Sequence, residues 1–295
     1  MKILPINSNS QIQNIKTSSF KTIFFKQNNK EADTFISTIP QERGQIYNGN
    51  KVYNITTTEF FREDINWKNF GDFLKEHFKE SPKVNTYVFG SSMGDEVFTL
   101  SGLLHGKFGE KAEKFFPIMP SDIEAKNVKT ANDRLKGGKV NFFTTDYDNS
   151  AFLRLLFERN LKDCECQDFF YVRDDVFRGD FVCFLLKPIQ NSIMPFEQKN
   201  ILEEVQNINS ENPSLILCRN MWPYVDGNEY PEFAKNLYNQ VKDGSCIVIG
   251  DVDYDKKFVK NNGLISEAFL NAGFKQVDSP LLKTEFQKKP YIFIK

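Results

Sequence analysis

The sequence predicts an α/β fold: a doubly wound, mostly parallel sheet of about seven strands that closes in an antiparallel hairpin. Three observations lead there. Short apolar runs bounded by turn residues alternate with stretches of helical periodicity. One run, residues 84–89, passes through Gly90-Ser91-Ser92-Met93-Gly94 into a helix with Asp95 and Glu96 in its first turn. That is the strand–loop–helix outline of a nucleotide-cofactor site at the carboxyl end of a strand. The last two runs, 274–277 and 291–294, have no helix between them, which marks a reversed edge strand.

The elements follow in order. Residues 1–50 are rich in Ser, Asn, Gln, Thr and Lys and read as a polar extension, although 21–25 could add an edge strand. The remainder, 51–295, reads as one domain. Thr56 and Glu59 have capping-box spacing, so a helix is expected from there to about Lys79, burying Phe60, Phe70, Phe73, Leu74 and Phe78 and stopped by Ser81-Pro82. The strand at 84–89 and a helix from Gly94 to about Leu104 come next. Residues 115–120 form a second strand running to Asp122, and 124–135 a helix. The apolar run 181–186 reads as the third sheet strand, 196–208 as an additional helix, and 215–218 as the fourth strand. A helix at 231–241 and a strand at 246–250 precede a helix at 264–272, which Gly273 ends.

Composition narrows the function. Lys plus Arg number 38 and Asp plus Glu 39, so no basic footprint for nucleic acid or an anionic membrane is expected. The 30 phenylalanines are expected to take core positions usually held by leucine. Cys164, Cys166, Cys183, Cys218 and Cys246 are an odd set in mostly apolar settings, as buried thiols of a cytoplasmic protein would be. The Cys164-Glu165-Cys166 pair has no second pair nearby, and the two histidines, His77 and His105, are far apart, so no metal site is expected. Both histidines read as solvated residues on polar helix faces. No secretory signal or membrane span is expected.

Four segments carry the candidate chemistry. Gly90 permits close backbone approach to a ligand, and the helix start offers N–H groups to a carboxylate or phosphate. The loop lacks a full G-x-G-x-x-G and any G-K-[ST], which weakens a phosphate reading. An acid such as Glu96 facing the ligand would attract an amino group, though Asp95 and Glu96 also suit a helix start by themselves. Asp122 stands at a strand end, where a ribose diol or a helix N-cap is its natural partner. Cys218-Arg219-Asn220-Met221-Trp222-Pro223-Tyr224 follows the fourth strand, bringing a third strand end to the same crevice.

These segments resemble the chemotaxis-receptor methyltransferases, which methylate glutamates with S-adenosylmethionine. The family's Asn-x-Thr-x-Phe-Phe-Arg is similar to Thr56-Thr57-Thr58-Glu59-Phe60-Phe61-Arg62 here. Its Cys-Ser-Thr-Gly-Glu-Glu loop is similar to 91–96, its Asp-Ile-Asp to Asp122-Ile123-Glu124, and its Cys-Arg-Asn-x-x-x-Tyr to 218–224. The resemblance covers roughly residues 54–250. It implies a Rossmann-like methyltransferase sheet and S-adenosylmethionine as cofactor, with S-adenosylhomocysteine as product. It implies cofactor contacts from Thr56, Thr58, Arg62, Gly90, Glu96, Asp122, Arg219 and Asn220. Arg62 and Tyr224 would lie nearest the transferred methyl group. The acceptor it implies is an exposed glutamate on a protein partner, of the receptor type.

The chain also departs from the family. Thr56 stands where the family has Asn, Met93 replaces Thr, and Asp95 shortens a Glu. The family's Asn-Leu pair after the third strand aligns nearest with Pro188-Ile189, and its N-terminal helical domain is not expected here. These departures keep two other readings open. One is a cofactor-binding module without turnover. The other is an amino-group methyltransferase, since Asn220, Pro223 and Tyr224 loosely resemble the Asn-Pro-Pro-Tyr loop of such enzymes.

Overall fold

A computed structural model of the protein describes residues 59–142, 147–175, 180–254, 263–285 and 287–295. Helix α1 (Trp67–His77) leads into β1 (Asn85–Phe89), α2 (Asp95–Phe108), β2 (Ile118–Asp122) and α3 (Ala125–Gly137). Then come β3 (Lys139–Phe142), α4 (Tyr147–Asp163), β4 (Phe170–Asp175), β5 (Asp180–Leu185) and α5 (Lys187–Asn191). The chain continues with β6 (Glu197–Gln198), α6 (Ile201–Glu204), β7 (Ser214–Leu217), α7 (Tyr230–Gln240), β8 (Cys246–Val248), α8 (Ile265–Ala272), β9 (Lys275–Val277) and β10 (Ile292–Ile294).

Seven strands form the main sheet in the order β6-β2-β1-β7-β8-β10-β9. β6, β2, β1, β7 and β8 run parallel, and β10 is antiparallel to both β8 and β9. The expected α/β sheet with a reversed C-terminal strand is therefore present. Order reverses at β1, so the β1 and β7 ends open the crevice in which such sheets hold ligands. The central strands are buried on both faces, which explains their mostly apolar sequence; Asn85, Thr86 and Ser214 are the buried polar exceptions among them. Phenylalanine does fill the core: Phe70, Phe78, Phe98, Phe115, Phe181, Phe269 and Phe293 are fully buried.

The third sheet strand is not the run at 181–186. That run is β5, the centre of a separate antiparallel sheet with order β3-β5-β4. It is apolar because Phe181, Cys183 and Leu185 are buried in the hydrophobic core. The position beside β2 belongs to β6, whose Glu197 and Gln198 are exposed at the sheet edge. A polar two-residue edge strand carries no periodicity to read. The helix expected at 196–208 is accordingly a strand, the single turn α6 and a 3₁₀ turn at Val205–Asn207. The small sheet approaches α2 closely because Gly102 and Gly106 lack side chains: a Cβ there would meet Phe170 at 2.4 Å and the Glu165 carbonyl at 2.6 Å.

Two further expectations are corrected. Among the described residues, 59–66 is not helical; Phe61 has φ 49°, and α1 begins at Trp67, capped by Asn66, whose side chain accepts from Asn69 N. Asn66 stands immediately before the helical periodicity and outcompetes the threonine start. The histidines are half-buried rather than solvated. His77 stacks on Phe73 and bonds the Gly244 carbonyl at 2.8 Å, while His105 stacks on Phe169. Burial lowers both imidazole pKa values.

Candidate active site

The crevice is built from the ends of β1, β2, β7 and β8 and from the 59–66 turn. Its centre is Arg219, just beyond β7, with a side chain wholly inaccessible to solvent. Its Nη1 donates to Glu96 Oε2 at 2.6 Å and its Nη2 to Asp64 Oδ1. The guanidinium lies 5.3 Å from the centre of the Trp67 ring. Asp64 Oδ2 also accepts from Asn220 Nδ2 at 2.9 Å and from Asp251 N at 3.3 Å. Asn220 Oδ1 in turn accepts from Val252 N at 3.2 Å. Asn220 adopts φ 58°, a left-handed conformation that asparagine tolerates, which turns the chain after β7.

Electrostatics follow from this packing. Burial by itself would raise the pKa of Asp64, but Arg219 and Arg62, with the Asn220 and Asp251 donors, hold it below the ordinary aspartate value. Burial raises Glu96 despite Arg219. Arg219 is raised in turn by Asp64 and Glu96, against its own burial, so it stays charged. Beneath them Asp253, fully buried, accepts backbone N–H groups from Asn220, Gly250 and Trp222 at 2.7, 2.8 and 3.1 Å. Burial outweighs those bonds and pushes Asp253 to about 7.

On the other side, Asp122 Oδ2 accepts from Ser92 N at 2.7 Å, and Oδ1 from Glu124 N at 2.9 Å and Asn127 Nδ2 at 3.2 Å. It thus locks the β1 loop to the start of α3, and burial raises its pKa. Arg134 on α3 reaches back to the same loop, donating from Nη1 to the Met93 carbonyl at 3.1 Å and to Asp95 Oδ1 at 2.8 Å. Asp95 is pushed by burial to about 6. Beside Asp122, a cleft of about 420 Å³ is lined by Ile123, Gln198, Lys199, Asn200, Glu203 and Glu204.

The expected site residues therefore divide. Glu96, Arg219 and Asn220 meet around Asp64, and Arg62 lies close enough to influence Asp64, Glu96 and Asp251. Gly90 faces Met221, where a Cβ would stand 3.0 Å from the sulfur, so the β1 and β7 loops touch. Tyr224 is half-buried in the 3₁₀ turn Trp222–Tyr224. Thr56 and Thr58 lie outside the described residues. Sequence reasoning missed Asp64, Arg134, Asp251 and Asp253. Asp251 and Asp253 follow the β8 strand directly, and their strand-end placement was a usable signal. Asp64 and Arg134 carried none.

Residues 56–136 match the family model described as "CheR methyltransferase, SAM binding domain". Over that stretch the chain is similar to the CheR type. That stretch is the part of the family that binds S-adenosylmethionine, the cofactor of this chain. No curated protein sequence matches the chain. Among solved structures it is similar to WbdD, at 11% identity and TM-score 0.40, over 78% of this chain and 40% of that one. The chain therefore spans less than half the length of WbdD. It is likewise similar to a TehB-like SAM-dependent methyltransferase from Corynebacterium glutamicum, at 11% identity and TM-score 0.40, over 76% of this chain and 87% of that one. Magnesium protoporphyrin IX methyltransferase from Synechocystis is similar at 10% identity and TM-score 0.37, over 77% of each chain.

The residues present fit this cofactor. Among the described residues, four buried polar atoms at these strand ends have no hydrogen-bond partner: Ser91 Oγ, Ser92 Oγ, Arg219 Nε and Asp251 Oδ1. Buried polar groups are seldom left so, and a polar molecule in the crevice would satisfy them. Glu96 Oε1 is unbonded among the described residues and suits an amino group. No helix among the described residues is long and apolar enough to cross a membrane.

Proposed function

We propose that the chain transfers the methyl group of S-adenosylmethionine to a carboxylate, a glutamate exposed on a protein partner in the cytoplasm. The observation that carries this reading is the contrast between the two arginines. Arg219 is spent on Asp64 and Glu96. Arg62, half-buried beside them, forms no ion pair among the described residues and is the guanidinium left to receive a carboxylate.

Within the domain formed by 51–295, Glu96 takes the amino group of the methionyl end and Asp122 faces the ribose. Ile123 and Asn200 border the nucleoside end of the cleft. Arg219 and Asn220 act chiefly by holding Glu96 and Asp64. Thr56 and Thr58 would approach from the segment before Arg62. When bound, the cofactor supplies a methyl group made electrophilic by its sulfonium. A glutamate, with an ordinary pKa of about 4.3, is already ionised near neutral pH and needs no general base. The protein's task is alignment, and Arg62 and Tyr224 are the groups assigned to it.

The test is methylation of an acidic protein extract with labelled cofactor, followed by alkaline release of methanol. Base-labile label that falls at least tenfold in Arg62→Ala supports the reading. Base-stable label refutes the carboxylate acceptor. The amino-group reading is weakened because the Asn220 carboxamide is bound to Asp64 and Val252. A second reading, a binding module without turnover, is favoured by the closed Asp64–Arg219–Glu96 lattice. It predicts cofactor binding with no labelled product at all.

A further inference from the structure

We infer that Asp64 is the positioning residue that keeps Glu96 free for the amino group of the cofactor, an inference that rests on the reading of Glu96 above. Asp64 lies in the turn before α1, outside every strand-end loop, yet it is only 4% exposed. Its carboxylate ties together three separate pieces of backbone: the entry turn, the β7 end through Arg219 and Asn220, and the β8 end through Asp251 N.

The consequence lies in how Arg219 is shared. A guanidinium facing a single carboxylate bonds it through two parallel N–H groups and occupies both oxygens. Here Asp64 takes Nη2, so Arg219 offers Glu96 only Nη1, at Oε2. Glu96 Oε1 stays unbonded among the described residues. Its side chain is 16% exposed, against 3% for Asp64, so Glu96 is the acid of the pair that a ligand can reach. Without the Asp64 charge, Arg219 is drawn wholly onto Glu96, and the acceptor for the ammonium group is lost. Asp64 thus acts on cofactor binding through Arg219 and without touching the cofactor.

Calorimetry with two ligands tests this. S-adenosylhomocysteine carries the amino-acid end; 5′-methylthioadenosine shares the nucleoside and sulfur but lacks it. Asp64→Asn is expected to weaken S-adenosylhomocysteine about tenfold, the scale of one charge-assisted hydrogen bond, and to leave 5′-methylthioadenosine within twofold. Glu96→Gln should show the same selectivity. The double variant should bind no more weakly than Glu96→Gln alone, because Asp64 works through Glu96. Equal losses for both ligands in Asp64→Asn, no loss for either, or losses that add in the double variant would overturn the inference. If Glu96→Gln itself treats the two ligands alike, the Glu96 assignment fails, and that result is distinguishable from a failure at Asp64. Should Asp64→Asn not fold, Asp64→Ser removes the same charge and is judged by the same outcomes. Asp64→Glu, which keeps the charge, is expected to recover most of the S-adenosylhomocysteine affinity; recovery of none counts against the inference.

Discussion

Substituting Gly250 by alanine should unlatch the site from a position that bears no functional group. A Cβ there would stand 2.1 Å from Asn220 Oδ1 and 2.5 Å from Nδ2, far inside van der Waals contact. Gly250 is not among the residues with positive φ, so alanine meets no backbone strain and its effect is confined to the Asn220 side chain. Asn220 would have to swing away, losing its 2.9 Å bond to the Asp64 carboxylate and the 3.2 Å bond from Val252 N. A hydrogen bond to a charged group contributes about 1.5–3 kcal/mol and a neutral one about 0.5–1.5 kcal/mol. Reduced unfolded-state entropy returns about 0.4–1 kcal/mol. The net expectation is a destabilisation of about 1–4 kcal/mol, read as a lower urea midpoint at unchanged slope. In an Asn220→Gly background, where the clash has no partner and the left-handed φ is retained, the same substitution should cost nothing measurable. A cost below about 0.5 kcal/mol in the wild-type background, or an equal cost in both, would refute the reasoning.

Other outcomes follow from the same geometry. Asp95 and Asp253 have folded pKa values raised to about 6 and about 7, so their contribution to stability is full below the unfolded carboxyl value and is lost as pH rises through those values. Urea-derived stability should therefore carry a declining component between about pH 4 and 7, at most about 1.4 kcal/mol per pH unit for each group. Asp253→Asn should flatten it between about pH 6 and 7, where Asp253 still contributes and Asp95 no longer does, and an unchanged slope there would contradict the assignment. Arg134→Gln should loosen the loop it pins at Met93 and Asp95, destabilising the fold by about 1–3 kcal/mol and weakening S-adenosylhomocysteine several-fold; calorimetry and urea unfolding report both, and unchanged ligand affinity would separate Arg134 from the site. Cys164, Cys166, Cys183, Cys218 and Cys246 are all buried, with thiol pKa values raised by burial, Cys164 to about 12. None should react with a thiol reagent until the protein unfolds, and any rapid native-state labelling would show the burial to be wrong.

Much of the fold was legible because its cause is local. The runs at 84–89, 215–218 and 246–250 largely coincide with β1, β7 and β8, which are buried on both faces, and such strands read as mostly apolar runs wherever they occur. The short β9 and β10 runs, with no helix between them, sufficed to reveal the reversed strand. Boundaries failed where a competing signal was stronger. The apolar run of β5 outweighed the polar edge strand β6, and the threonine-rich stretch at 56–58 outweighed Asn66 as a helix start. In both cases the sequence recorded burial or capping capacity without recording which partner would use it.

The sequence alone determined the central strands β1, β2, β7 and β8 with the reversed β10, the Gly90–Glu96 loop, the acid at the end of β2 and the Arg219-Asn220 pair. Those features depend on neighbours along the chain. Only the tertiary structure decided that Arg219 is divided between Asp64 and Glu96, that Asn220 rests against Gly250, and that Arg134 reaches back across the β2 end to Asp95. Each of these joins residues from separate elements inside a buried crevice. There a charge persists only beside its counter-charge, and no spacing along a single chain announces which distant acid will provide it.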